Sequence, residues 1–495
     1  MKTGQTISII RIGHKLMTLA MGIFFILSFF ANDDLFAQST SISFATPDSI
    51  KIEIEKQLDN PDLLKQFNFP KTVKRFYSLN SNQANWLRPE QDIKPTVSAM
   101  LLLDCVRQFG LQPADYHNKV LNYVLMYDAL NNNKLKATVK VEFELLLTDA
   151  MISMINHLHN GKYNPFLDKD SIDNGLKNEF NAEELLLKFK NSSSLMENIL
   201  AVQPQIDEYS KLQGYMKLIA GQYTCDAYET PEKEIRLISM NMERLRWINT
   251  AGSTYLHVNI PTYKLYYHTA DSIYEFKVVV GKPSTPTPTL KSFISHLESA
   301  PDWKVPHKIF INELLPKAIK DNSYFDNNHM AVYDQKENFI SINSKTIAQI
   351  KQNPKLYHAR QTAGCDNALG KVVFRFNNAY DVYLHDTPEQ QYFSRSKRAL
   401  SHGCVRVQKA ENLAALLLEK DQQSNQITTL KTAMINYTKR QFTLKNPVPV
   451  LITYLTTTVE NGLIVYHEDT YKLDNVLEKQ IFGEPAQFNK VSIKK

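Results

Sequence analysis

The chain has 495 residues, 43% of them hydrophobic and 22% charged, with a formal net charge of +6. That length suits about two to four domains with well-buried cores. The cations are scattered without a basic run, so a nucleic-acid stripe is not expected, and four cysteines are too few for a disulfide scaffold in an exported chain.

Lys2, Arg11, His14 and Lys15 precede the apolar run Leu16–Ala31, and "LFAQ" follows with Ala37 at a candidate cleavage point. A basic front, a short apolar run and a small residue at the break predict a secretory signal over 1–37. The run is shorter than the roughly 20 residues that span a bilayer, and an uncleaved membrane anchor through residues 16–31 is the competing reading. Either way the rest of the chain is expected to be exported, in the periplasm or cell envelope. Residues 38–60 read as a leader running into a first helix. Residues 61–232 pattern as a mostly helical domain. Val97–Phe109 and Val141–His159 place apolar residues at i, i+3, i+4 and i+7, and the second run stops at Asn160-Gly161 ahead of Pro165. Asn191–Ser194 is a polar break. Cys105 sits in an apolar helical run and is expected in the core. Cys225 and Cys365 are candidates for a pair, which the sequence neither establishes nor excludes.

Strand character dominates residues 233–470. Ser253–His268 and Tyr274–Lys282 are rich in β-branched and aromatic residues, joined by Thr269–Ser272. Gly281-Lys282 is no phosphate loop, because the upstream glycine is missing and Pro283 and Pro286 follow. Ser284–Ser344 reads as an irregular insertion with helical pieces. Strands return at Lys371–Phe376, Asp381–Leu384 and Val405–Val407, with an amphipathic helix at Ala410–Glu419. Pro447–Tyr454 and Gly462–His467 read as a hairpin turning at Glu460–Gly462. Residues 471–495 read as a tail.

The chemistry gathers in Leu384–Val407, "LHDTPEQQYFSRSKRALSHGCVRV". A metal site is not expected, because His402 and Cys404 form one short pair and no second Cys/His cluster completes a tetrahedron. Cys404 sits among Ser401, His402, Gly403 and Arg406, a polar setting unlike that of a buried structural thiol. A nucleophilic thiol needs a base, an orienting group for the base, and donors where an oxyanion forms. Gly403 permits a tight turn before the thiol, so the N–H groups of Gly403 and Cys404, with His402, are candidate donors. His385 ends a strand that can pair beside Val405–Val407. It is therefore favoured as base over His402, which lies only two positions from Cys404, and its other nitrogen is expected to donate to the Asp386 backbone carbonyl or to a nearby side chain.

These residues carry a resemblance. "LHDTP" followed twelve residues later by "SHGCVRV" resembles the catalytic motif of the L,D-transpeptidases (YkuD type). "NMERLRW", "VNIP", "VVVGK" with "TPTP", "PDWKVP" and "NALGKVVFRF" follow the landmarks of the large, scaffold-bearing (YcbB-like) subfamily in order. "FYSLNSNQANW" and "HLHNGKYNP" do so in the helical region, and the resemblance covers roughly 60–470. It implies an α+β multidomain fold: a helical N-terminal scaffold, then a β-rich L,D-transpeptidase catalytic domain over 233–470 with a capping insertion at about 284–344. It implies Cys404 as nucleophile, His385 as base, and His402, Gly403 and Cys404 as the oxyanion segment. Arg406, Asp386, Ser401 and Asn367 would bind substrate or support the site, and a plain ion pair is an equal reading for Arg406. The implied partners are peptidoglycan stem peptides and carbapenem-type inhibitors, with no cofactor. The implied reaction is acyl transfer from a tetrapeptide stem to another stem's side-chain amine, giving 3-3 cross-links. L,D-carboxypeptidase or D-amino-acid exchange shares the motif, and a non-catalytic wall-binding scaffold is the alternative of another class. The subfamily's compact peptidoglycan-binding module is expected to be absent, since Gln203–Pro231 leaves only about thirty residues for it.

Overall fold

The computed structural model describes residues 47–483 except 89–92, 133, 176–179, 191–193, 221–231 and 249–251. The signal over 1–37, the first part of the leader, most of the Asn191–Ser194 break, Cys225 and residues 484–495 of the tail lie outside the described residues. Among those described, no helix is long and apolar enough to cross a membrane.

The helical half is built around one long helix. Helices α1 (Pro70–Leu79), α2 (Lys94–Asp104) and α3 (Ala137–Asn160) share a core with shorter helical pieces. Helix α3 is apolar on nearly every side, so its neighbours pack around it rather than against one stripe. Among its buried polar residues the Glu144 carboxylate is fully partnered, as a buried carboxylate must be. Glu144 accepts the N–H groups of Asn85, Trp86 and Leu87 at 2.6, 2.9 and 3.0 Å, and the Tyr77 hydroxyl at 2.7 Å. Burial nonetheless holds the Glu144 carboxyl above its usual range. Helices α4 (Asp207–Ala220) and α5 (Glu232–Arg246) then lead toward the sheet.

Nine strands make the second half. They are β1 (Tyr255–Asn259), β2 (Lys264–His268), β3 (Ile273–Gly281), β4 (Leu290–Ser299), β9 (Val372–Phe376), β10 (Leu384–His385), β11 (Ala399–Ser401), β12 (Val405–Val407) and β13 (Arg440–Thr453), with β5 to β8 assigned below. Their order is β11-β3-β12-β10-β9-β4-β13-β1-β2, and a further β2–β3 pairing closes the sheet on itself like a barrel. The interior is apolar: Val278, Leu297, Phe374, Leu384, Val405 and Val407 point into it, and α7 (Ala410–Lys420, with α6 below) packs on one side. The fold class is therefore the expected one, helical scaffold followed by a β-rich domain.

Several boundaries differ from the sequence reading. Ser284–Ser344 is not one irregular insertion. Leu290–Ser299 is a ten-residue strand between β9 and β13. The separate subdomain comprises β5 (Trp303–Lys304), β6 (Met330–Asp334), β7 (Phe339–Ile340), α6 (Ser344–Gln352) and β8 (Tyr357–Gln361). Its own core includes Phe310, Leu315, Phe325, Val332 and Ile350, and an Asn343–Thr346 capping box starts α6. Pro447–Tyr454 does not pair with Gly462–His467. It belongs to β13, and the hairpin is β14 (Thr457–Glu460) with β15 (Leu463–Tyr466). Within Ser253–His268 the chain already turns between β1 and β2. The tail is partly structured: α8 (Asp474–Phe482) docks on α5 through an Arg244–Asp474 ion pair at 2.7 Å and Arg236 over the Phe482 ring.

Candidate active site

Strands β10 and β12 run parallel, with Leu384 opposite Val405 and His385 opposite Arg406. Side chains alternate across a strand, so with Leu384 and Val405 in the barrel interior, His385 and Arg406 stand on the outer face. Two residues back, Tyr383 and Cys404 share that face.

His385 is 4% exposed. Its Nδ1 donates to the Asp386 carbonyl at 2.5 Å, which leaves Nε2 as the unprotonated nitrogen. Burial, with the Arg406 guanidinium adding to it, pulls the imidazole down to about 3. The ring stands edge-on to Tyr383 at 5.8 Å. Cys404 is half-buried and free. Burial pushes its thiol up, opposed by hydrogen bonding from Tyr383 and by the charges of Arg375 and Arg406. The resting pair is thus a neutral thiol and a neutral imidazole. Tyr383 was not singled out in the sequence. It neighbours the thiol, whose Sγ lies 3.9 Å from the Asp381 carbonyl; burial pushes its phenol up, and Arg375 lies over its ring at 4.8 Å. The signal for it was the Tyr-x-His alternation on one strand, which puts both side chains on one face.

The loop before Cys404 is held from within. Ser401 Oγ donates to the Cys404 carbonyl at 2.5 Å and accepts the Gly403 N–H at 3.2 Å. In this resting arrangement the Gly403 N–H is buried against Ser401 Oγ and does not face open space. What Gly403 supplies is backbone shape, at φ +122° with no atom closer than 3.8 Å to where a Cβ would stand. Its carbonyl accepts the Thr287 hydroxyl at 2.7 Å, and Thr287 Oγ1 also accepts the Gly281 N–H at 2.8 Å. The "TPTP" segment is thereby stitched to the nucleophile loop. A side chain at Gly281 would stand 2.2 Å from the Thr285 carbonyl, so only glycine lets the two segments close up.

The other predicted residues divide. His402 points away from the thiol: its Nε2 meets Glu313 Oε1 at 2.6 Å, with Lys282 3.7 Å from the same carboxylate. Glu313 lies in a π-helical turn, Phe310–Leu314, of the inserted subdomain, so His402 ties that subdomain to the nucleophile loop. Arg406 pairs with Glu389 at 2.5 Å and lies over the Tyr392 ring, the ion-pair reading. Asp386 accepts the Lys371 N–H at 2.9 Å while its carbonyl orients His385. Burial raises its carboxyl. Asn367 is fully buried, donating to the carbonyls of Pro301, Gln361 and Thr362. It clasps the base of the inserted subdomain, the supporting role of the two expected for it. Cys365 is exposed and free.

Residues 253–435 match the family model of the L,D-transpeptidase catalytic domain (YkuD), and residues 71–216 match that of a scaffold domain. Among curated proteins the chain is similar to one of Haemophilus influenzae named "Putative L,D-transpeptidase", 36% identical over 238 residues that make up 48% of each protein. The match thus spans about half the length of that relative. Among solved structures it aligns with a mutant L,D-transpeptidase of Enterococcus faecium at 12% identity and TM-score 0.19, over 41% of this chain and 50% of that one. A second, an L,D-transpeptidase from Mycobacterium smegmatis, aligns at 14% identity and TM-score 0.18, over 41% and 60%.

Proposed function

We propose, for a chain that carries an L,D-transpeptidase catalytic domain over 253–435 and a scaffold domain over 71–216, that Cys404 performs acyl transfer on peptidoglycan stems and forms 3-3 cross-links. The observation that carries the reading is the Tyr383–His385–Cys404 face: a half-buried free thiol on the strand beside a buried imidazole whose Nδ1 is committed to a carbonyl.

In this reading Cys404 Sγ attacks the carbonyl carbon of the third residue of a tetrapeptide stem. The thiol proton moves to His385 Nε2 as the C–S bond forms. The imidazole must stay neutral to accept it, and burial favours that state. The Tyr383 hydroxyl, on the same face, is a candidate donor for the developing oxyanion. Collapse breaks the C–N bond to D-alanine, whose amine takes the proton from His385. The side-chain amine of a second stem then attacks the thioester, and the thiol is regenerated with its proton returned through His385. The export signal expected over 1–37 supports this assignment, since the substrate polymer lies outside the cytoplasm.

The test is intact-mass measurement of a carbapenem adduct together with products from tetrapeptide muropeptides. The wild-type chain gains one adduct and forms dimers, and Cys404→Ala does neither while remaining folded. An adduct on Cys404→Ala overturns the nucleophile. Tripeptide without dimers replaces transfer with hydrolysis.

A further inference from the structure

A second cluster of chemistry-bearing side chains lies away from the nucleophile loop, where α4 meets the β1–β2 hairpin. Glu208 of α4, His257 of β1 and His268 of β2 bring three ligand atoms within 4.8 Å of one another. His257 and His268 are 2% and 6% exposed. They border a cavity of about 140 Å³ that Asn259, Thr262 and Tyr266 also line.

His257 lies between two partners: its Nε2 is 2.7 Å from Thr453 Oγ1 and its Nδ1 is 2.8 Å from Glu208 Oε1. The Thr453 hydroxyl can donate to Nε2 or accept from it, so Nδ1 either donates to the Glu208 carboxylate or, with the proton on Nε2, turns its lone pair on a cation held there. The same carboxylate oxygen is 3.1 Å from His268 Nε2, which is buried and makes no hydrogen bond. Two imidazole nitrogens thus converge on one carboxylate oxygen. The set is held in place, because the Tyr255 hydroxyl donates to Glu208 Oε2 at 3.1 Å and the His268 ring stacks on Tyr255 at 4.3 Å.

We propose that Glu208, His257 and His268 bind one divalent transition-metal ion of the zinc type, pinning α4 to the edge of the catalytic sheet. Two imidazoles and one carboxylate are a zinc donor set, with a fourth position open toward the cavity for water. Metal bonds of about 2.0–2.1 Å set tetrahedral ligands about 3.3 Å apart. The contacts at 2.8 and 3.1 Å need open only slightly. Thr453 supplies the outer hydrogen bond that such a histidine ligand needs to fix its tautomer. No cofactor was expected from the sequence because these ligands carry none of the short spacings by which metal sites are read.

The full chain, stripped by chelator and dialysed, is titrated with Co²⁺ and then Zn²⁺. One equivalent of Co²⁺ is expected to give the visible ligand-field bands of a tetrahedral nitrogen–oxygen site, without thiolate charge transfer, and Zn²⁺ displaces it. Thr453→Val, which removes only the outer hydrogen bond, weakens binding about 10–100-fold, and His268→Gln weakens it further. If His268→Gln does not fold by circular dichroism, Glu208→Gln and Thr453→Val carry the comparison. Absence of saturable binding overturns the site and leaves a buried proton shared by the three residues. Thiolate bands, or binding that His268→Gln and Glu208→Gln leave untouched, overturn it equally.

Discussion

At the scale of single residues, the protonation state of His385, the base of the proposed reaction, has a thermodynamic signature. The fold holds its imidazole near about 3, while an unfolded chain takes up the proton near about 6.5. Between these values the unfolded state binds more protons, so stability rises with pH through the window and is complete above the unfolded value. Acidifying from about pH 7 to about pH 4 should therefore remove on the order of 3 kcal/mol that the His385→Gln variant does not lose. Thermal melts of both proteins across that range check it, and parallel curves would show that the folded imidazole is charged. Ser401 makes the second prediction at this scale. Ser401→Ala leaves the Gly403 N–H buried without an acceptor and the Cys404 carbonyl without its donor. A cost of about 1–3 kcal/mol is expected, with slower carbapenem acylation, read by urea denaturation and stopped-flow fluorescence. Unchanged acylation would mean that the loop keeps its shape without the serine. The placement of His385 beside the Cys404 segment was legible in the sequence, because the strand ending at His385 was expected next to Val405–Val407. Tyr383 and the inward turn of the Gly403 N–H were not, because both depend on strand parity and loop dihedrals that no residue type announces.

At the scale of elements, the misread stretches share a cause. β4 breaks its alternation: inward positions run Leu290, Ser292, Ile294 and then Leu297 and Ser299, because its pairing with β9 shifts register between Ile294 and His296. A bulge of this kind moves the inward phase by a residue, and with two of the five inward positions serine the period of two disappears from view. β13 shifts register between Thr443 and Val448 and carries Pro447 and Pro449, so its front half reads as loop. Where alternation is intact, as in β12, or β-branched and aromatic residues dominate, as in β3, the strand was legible. The inserted subdomain also illustrates a contact that only folding reveals, the Glu313 carboxylate against His402 and Lys282. Exposed ion pairs contribute about 0.2–1 kcal/mol each. Glu313→Ala should therefore slow carbapenem acylation by about two- to five-fold, through looser docking of the subdomain on the nucleophile loop. The reaction of Cys404 with a small thiol reagent should not slow. Equal losses with both reagents would place Glu313 in the chemistry of the thiol itself.

At the scale of the molecule, Pro47–Lys495 forms one compact unit, and the family landmarks in the sequence turn out to be its seams. "HLHNGKYNP" and "NMERLRW" meet where α3 ends against α5: Glu243 Oε1 accepts the Tyr163 N–H at 2.6 Å and the Trp247 indole at 3.0 Å. Arg246, fully buried, joins the Phe109 segment of the scaffold to α4 and α5, which in turn pack on the sheet. Its guanidinium donates to the Phe109 carbonyl and, at 2.9 Å, to the Tyr209 hydroxyl, with Glu243 at 3.5 Å. The sequence showed the motifs but not that they touch, since the partners are up to 137 positions apart. Removing one side of a buried charge pair costs about 3–5 kcal/mol because the other side is left uncompensated. Arg246→Met would strand Glu243, Tyr209 and the Phe109 carbonyl together. Lysine is no substitute, because it lacks the planar fork that reaches two acceptors at once. The expected outcome in calorimetry is a wild-type chain that melts in one transition, and Arg246→Met and Arg246→Lys variants in which the helical half melts ahead of the sheet. Acylation per folded molecule should stay at the wild-type level, because Cys404 and His385 are held by β10, β12 and the "TPTP" segment, none of which touches Arg246. A single, uniformly lowered transition would instead mean that the barrel and the helices unfold together even without this arginine, and the coupling would then reside in the α5–α8 and α4–sheet contacts.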